Sequence, residues 1–89
     1  MKRLALVLLA FSLIAAERKP VFPPDVKPIG PYSPGILAGD YLYVSGQGAR
    51  DGKAKLPDTF EAQVTQCMNN VKAVVEAAGL KLENVVYTQ

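Results

Sequence analysis

The sequence predicts an α+β fold: a short antiparallel hairpin, one long helix packed over it, and a third strand after the helix. Three observations carry this prediction. A Gly39-Asp40 turn dipeptide separates Ile36-Leu37-Ala38 from Tyr41-Leu42-Tyr43-Val44-Ser45, a run rich in strand-favouring side chains. Apolar residues recur at helical spacing from Phe60 to Ala78. Val85-Val86-Tyr87-Thr88 then reads as another strand. At 89 residues and 49% hydrophobic, the chain has room for one small domain with a thin core.

The first residues stand apart. Met1-Lys2-Arg3 is basic, and Leu4 to Ala16 carries no charge and ends in Ala15-Ala16 before Glu17. That run of 13 residues is short of the roughly 20 a membrane-spanning helix needs. It predicts a secretory signal peptide over residues 1–16, and hence a secreted or periplasmic protein with no membrane span after cleavage. Ile14 is larger than the small residue usual three positions before a cleavage point, so an uncleaved anchor and a buried N-terminal helix are the alternative readings. Loss of Lys2 and Arg3 with the signal takes the formal charge from +2 to zero. The remainder has no basic surplus, which argues against nucleic acid as a partner. One cysteine, Cys67, and no histidine exclude an intramolecular disulfide, zinc sites of the Cys/His type and any histidine-based triad.

Residues 17–28 read as a proline-rich linker in extended form, outside the packed domain; six of the seven prolines fall between Pro20 and Pro34. In the hairpin, strict alternation places Leu42 and Val44 on one face and Tyr41, Tyr43 and Ser45 on the other. Gly46, Gly48 and Gly52 open a flexible loop carrying Arg50, Asp51, Lys53 and Lys55. The helix is expected from about 59 to 78. Asp58 or Thr59 can cap it, and Asp58 with Glu61 resembles a capping box. Phe60, Val64, Cys67, Val71, Val74 and Ala78 form its apolar stripe, widened by Met68 and Val75, and Gly79 is placed to end it with Leu80 folding back. Within that stripe Cys67 is read as a small hydrophobe. A helix and three strands leave edges and an apolar face uncovered, so the domain, residues 29–89, is expected to be the front half of a longer fold.

Two segments carry the functional signal. Ile29-Gly30-Pro31-Tyr32-Ser33 and Tyr43-Val44-Ser45-Gly46-Gln47 each set a hydroxyl beside backbone that glycine makes approachable. The turn between them folds one toward the other. Read alone, Tyr32 is an aromatic anchor after a proline turn and Ser45 a solvated hydroxyl at a strand end. Together with Glu76-Ala77-Ala78-Gly79-Leu80 and Asn84-Val85-Val86, the two segments resemble the RidA/YjgF family, reactive-intermediate deaminases also labelled L-PSP endoribonucleases. The resemblance covers about residues 26–89.

It implies a chorismate-mutase-like fold, trimers with sites between subunits, no metal or organic cofactor, and hydrolysis of 2-imino acids to 2-keto acids and ammonia. On that pattern Tyr32 and Ser45 are the catalytic residues, and the backbone at Gly46 binds the substrate, a small imine or enamine. Such chemistry needs a positioned water and hydrogen-bonding groups around the imine. The resemblance also places the family's carboxylate-clamping arginine and its glutamate in a C-terminal half, so the 89 residues are expected to hold an incomplete site. A non-catalytic module that binds a small ligand or partner, and an inactive fragment, are the competing readings. A ribonuclease ranks below these, since the chain lacks histidine and any aromatic-basic pattern.

Overall fold

A glycine-first turn sets the register of the sheet. In the computed structural model, which describes residues 17–89, Gly39 has φ +60° at the first position of a two-residue loop, as a type II′ hairpin turn requires. It joins β2 (Gly35–Ala38) to β3 (Tyr41–Val44), with Ala38 opposite Tyr41 and Gly35 opposite Val44. The expected hairpin is therefore present, and Leu42 and Val44 do lie on the face opposite Tyr41 and Tyr43. The signal-peptide reading falls on residues 1–16, outside the described residues.

The proline-rich segment is not an unpacked linker. Arg18–Val21 forms β1, antiparallel to β2 with Arg18 opposite Ala38 and Val21 opposite Gly35, which gives a three-stranded sheet in the order β1-β2-β3. Pro20 is tolerated because β1 is an edge strand, where a residue without an N–H forfeits no ladder bond on its outer side. Val21 and Pro23 are buried, so the segment belongs to the packed domain.

Helix α1 (Phe60–Ala77) follows the expectation closely. Its cap is Thr59, whose Oγ1 accepts from the N–H of Ala62 at 3.1 Å; Asp58 makes no cap, and the Asp58–Glu61 capping box does not form. Glu61 still lies in the first turn, where its charge favours the helix dipole. At the other end Gly79 has φ +79°, its N–H donates to the Glu76 carbonyl, and the Leu80 N–H donates to the Val75 carbonyl. These two bonds make a Schellman stop. Thr59→Ala is expected to destabilise the domain by about 1 kcal/mol, read as a lowered urea midpoint with an unchanged slope.

The core is where α1 crosses the sheet face that carries Gly35, Leu42 and Val44. Val74 is fully buried and Val75 nearly so, and Val21 is buried with them. Gly35 has to be small: a Cβ there would sit 2.7 Å from Cγ1 of Val74. The apolar stripe of the helix is only half used. Val71, Val74, Val75 and Ala78 turn inward, whereas Phe60, Val64 and Met68 are exposed, Phe60 at 80%.

The third strand expected at Val85–Thr88 is absent among the described residues. Leu82–Asn84 is a short 3-10 turn, held by the Lys81 N–H donating to Oδ1 of Asn84, and the chain continues in irregular form with Val86 and Tyr87 exposed. Strand propensity at these residues finds no neighbouring strand to pair with, and propensity without a ladder does not make a strand. No helix among the described residues is long and apolar enough to cross a membrane.

Candidate functional site

The β2–β3 ladder runs one step past the strands, and that step builds the site. The Ser45 N–H donates to the Pro34 carbonyl at 2.9 Å, which lays residues 45–47 alongside Tyr32 and Ser33. Gly30, with φ +60°, turns the chain into this segment. The Ser45 hydroxyl donates to the Ser33 carbonyl at 2.6 Å, and the Tyr32 hydroxyl donates to the Gly46 carbonyl at 3.2 Å. Nε2 of Gln47 donates to the Ser45 carbonyl at 3.1 Å and to the Tyr32 oxygen at 3.0 Å. A carbonyl only accepts, so the bond to Ser45 settles which end of the Gln47 amide faces inward.

Tyr32, Ser45 and Gly46, the three residues singled out from the sequence, thus lie in one hydrogen-bonded ledge. A Cβ on Gly46 would meet nothing within 4 Å, so no packing within the chain demands glycine there and the backbone stands open. Tyr32 is 46% exposed, and Ser45 is half-buried. Two shallow concavities among the described residues are lined by Glu17, Lys19, Leu37 and Gly39, and by Asp51, Lys55, Pro57 and Asp58, without Tyr32 or Ser45.

Helix α1 fastens the loop behind the ledge. The Cys67 thiol donates to the Gln47 carbonyl at 3.0 Å. Nδ2 of Asn70 donates to the carbonyls of Gly48 at 2.9 Å and Arg50 at 2.8 Å, while its Oδ1 accepts from Gln66. Gln63 donates to the Pro57 carbonyl at 2.8 Å. The polar residues beside the apolar stripe are therefore a second, loop-holding face of the helix. Cys67 serves as a donor as well as a small hydrophobe, and the glycine-rich loop is tied down at several points.

Farther along, Oδ1 of Asp51 accepts from the N–H groups of Lys55 and Lys53 and holds a turn in which Ala54 has φ +61°. That conformation costs a non-glycine residue about 1–2 kcal/mol. Backbone donation, from Lys55 first and then Lys53, lowers the Asp51 pKa below its ordinary value. A lowered folded-state pKa gives a contribution that is present above the unfolded value and lost as pH falls through the folded one. Amide resonances of Lys53 and Lys55 are accordingly expected to shift together below about pH 4, and Asp51→Asn should abolish that acid step in an NMR titration.

The ledge can accept and donate hydrogen bonds and can hold a small polar molecule or a water. Among the described residues no cationic side chain donates to it, and Nη1 of Arg50 donates to the Ala54 carbonyl at 2.9 Å within its own loop. Among the described residues no group of three or more His, Cys, Asp or Glu could hold a metal ion. Two contributors escaped the sequence reading. Gln47 lies two residues after Ser45 in extended chain, hence on the same side, and that spacing could have flagged it. Asn70 gave no comparable signal, because its partners are carbonyls of a loop about twenty residues earlier.

Comparison with known proteins shows the family and the fold. The sequence model of the family described as Endoribonuclease L-PSP matches residues 23–89. A RutC family protein of Saccharolobus solfataricus is 50% identical over 77 residues, 84% of this chain and 56% of that protein. The 2-iminobutanoate/2-iminopropanoate deaminase of Escherichia coli is 44% identical over 61 residues, 67% of this chain and 48% of the enzyme. Among solved structures, the Rid family protein YyfA of Yersinia pestis superposes with a TM-score of 0.73 at 29% identity, covering 79% of this chain and 58% of that one. The chain spans about half the length of the curated relatives it matches. The α+β fold is shared with the Rid family protein over the part that superposes.

Proposed function

The chain belongs to the Endoribonuclease L-PSP family, the RidA/YjgF family, and from that premise we propose that it carries the tyrosine–serine part of a site that hydrolyses 2-imino acids to 2-keto acids and ammonia. The observation that supports this most is the closed set of hydrogen bonds joining Tyr32, Ser45, Gly46 and Gln47 beside open backbone. In the reaction, water adds to the imine carbon, the C–N bond breaks, and the nitrogen leaves as ammonia. Tyr32 and Ser45 would hold the imine group and the attacking water in register, and positioning of this kind supplies much of the rate in such additions. No organic cofactor enters this scheme.

A substrate carboxylate would need a bidentate cationic donor, which the ledge does not provide. A second surface has to complete the site, and the exposed Tyr41, Tyr43, Phe60 and Met68 offer apolar area for one. We take that surface to come from other copies in a homotrimer, and residues 1–16 to export the protein. The open form of the ledge also favours a second reading, a non-catalytic module that holds a small ligand.

Ammonia release from freshly generated 2-iminobutanoate tests the proposal. The full chain is expected to exceed the spontaneous rate, and a rate equal to buffer would refute hydrolysis by this chain. Saturable binding of a 2-keto acid without turnover would favour the binding module.

A further inference from the structure

We infer that Asn70 is a positioning residue of the ledge: from α1 it holds the backbone at Gly48 and Arg50, and through Gln47 it sets where the Tyr32 hydroxyl stands. This deepens the proposed function and rests on it for the reaction; its own support is the way residues 46–52 are held.

That segment has little stiffness of its own. Gly46, Gly48 and Gly52 fall within it, and glycine restricts the backbone least. A Cβ on any of the three would meet nothing within 4 Å, so packing does not fix the glycines either. Hydrogen bonds have to do so. Among the described residues, α1 reaches the segment through the Cys67 thiol, which donates to the Gln47 carbonyl at 3.0 Å, and through Nδ2 of Asn70, which donates to the carbonyls of Gly48 at 2.9 Å and Arg50 at 2.8 Å. A thiol is a weak donor, so Asn70 supplies the stronger hold.

The amide of Asn70 is fully committed. Both Nδ2 protons go to loop carbonyls, and Oδ1 accepts from Nε2 of Gln66 at 2.9 Å. Each of these bonds fixes the same orientation of the amide. Gln63, Gln66 and Asn70 recur at helical spacing, a row of amides beside the apolar stripe. Asn70 is half-buried, whereas its neighbour Asn69 is exposed.

The path from Asn70 to the ledge is short. Gly48 directly follows Gln47, and Nε2 of Gln47 donates to the Tyr32 oxygen and the Ser45 carbonyl. A displaced Gly48 moves the Gln47 backbone and the side chain it carries. Asn70 bonds neither Tyr32 nor Ser45, so it acts through placement. Rates fall steeply when positioned groups move.

Asn70→Asp tests this most sharply. It keeps the shape of the side chain and replaces two donors by an oxygen that only accepts, set against the Gly48 and Arg50 carbonyls. NMR of the full chain without ligand follows the Gln47 side-chain amide and the Tyr32 ring. In the wild type the Gln47 amide protons are expected to exchange about tenfold more slowly than those of an exposed glutamine. Asn70→Asp should remove that protection and shift the Tyr32 resonances. Asn69→Asp adds the same charge on the exposed neighbour, and Thr59→Ala weakens the fold at the start of α1. Both should leave the signals in place. Unprotected Gln47 protons in the wild type, signals indifferent to Asn70→Asp, or equal changes in either control would each overturn the inference.

Turnover supplies a second readout. With 2-iminobutanoate, Asn70→Asp is expected to lower kcat about tenfold and to leave KM within about twofold. Added to Tyr32→Phe, it should lower the rate by less than about twofold more, because the group it positions is already gone. Fully additive losses would overturn the inference. Loss of the deaminase reading would instead appear as no ammonia release with the Gln47 signals still dependent on Asn70.

Discussion

Gly35→Ala is expected to destabilise the domain by about 1–3 kcal/mol, and Gly35→Val by more, because either side chain must displace the helix from the sheet. The added Cβ would lie 2.7 Å from Cγ1 of Val74 and 3.3 Å from Cδ1 of Leu42. Val74 cannot swing away cheaply: it is β-branched, sits inside a helix and is fully buried. Relief has to come from a shift of α1 as a body. Such a shift would also move Cys67 and Asn70, which hold the loop behind the ledge. Paired with Gly35→Ala, Val74→Ala should recover part of the loss, although alone it costs stability by opening a cavity. Urea unfolding of the two single variants and the double variant closes the cycle. Additive losses would show that the close approach of Gly35 and Val74 does not set the packing.

The largest functional effect is expected at Tyr32. Tyr32→Phe removes one oxygen that both donates to Gly46 and accepts from Gln47. The ring, 46% exposed, keeps its place, so folding should change little. Ammonia release from 2-iminobutanoate should fall by about 100-fold, the usual scale for a positioned proton-transfer or hydrogen-bonding group. Ser45→Ala should reduce the rate as well, since it removes the hydroxyl that bridges to Ser33. Full activity in both variants, with an unchanged thermal midpoint, would remove Tyr32 and Ser45 from the site.

Much of the local structure was readable from residue order. Gly39-Asp40 between two apolar runs specified the hairpin, because a two-residue loop with φ above zero at its first position has few solutions. The helix was legible at both ends: Thr59 supplies a capping oxygen, and Gly79 reaches the left-handed conformation a Schellman stop needs. Tyr32, Ser45 and Gly46 could be grouped because the hairpin between them is short and its register follows from the turn. Their convergence needed only local rules.

Other features depended on partners distant in sequence. Residues 17–28 read as a proline-rich linker, and Arg18–Val21 became a strand only because β2 had an unpaired edge to offer it. Val85–Thr88 has the composition of a strand and no partner within the described residues, so it is not one. The helix stripe told which residues are apolar but not how far the sheet beneath it extends. Val74 and Val75 found cover, whereas Phe60, Val64 and Met68 did not.

Residue order thus determined the turns, caps and periodicities, which are decided within a few bonds by φ preferences and hydrogen bonds to near neighbours. The tertiary structure alone decided which edge was filled and which part of the helix was buried. It also decided that Gln47, Cys67 and Asn70 would orient and hold the ledge, because each of those outcomes is a competition for a partner that lies elsewhere in the chain.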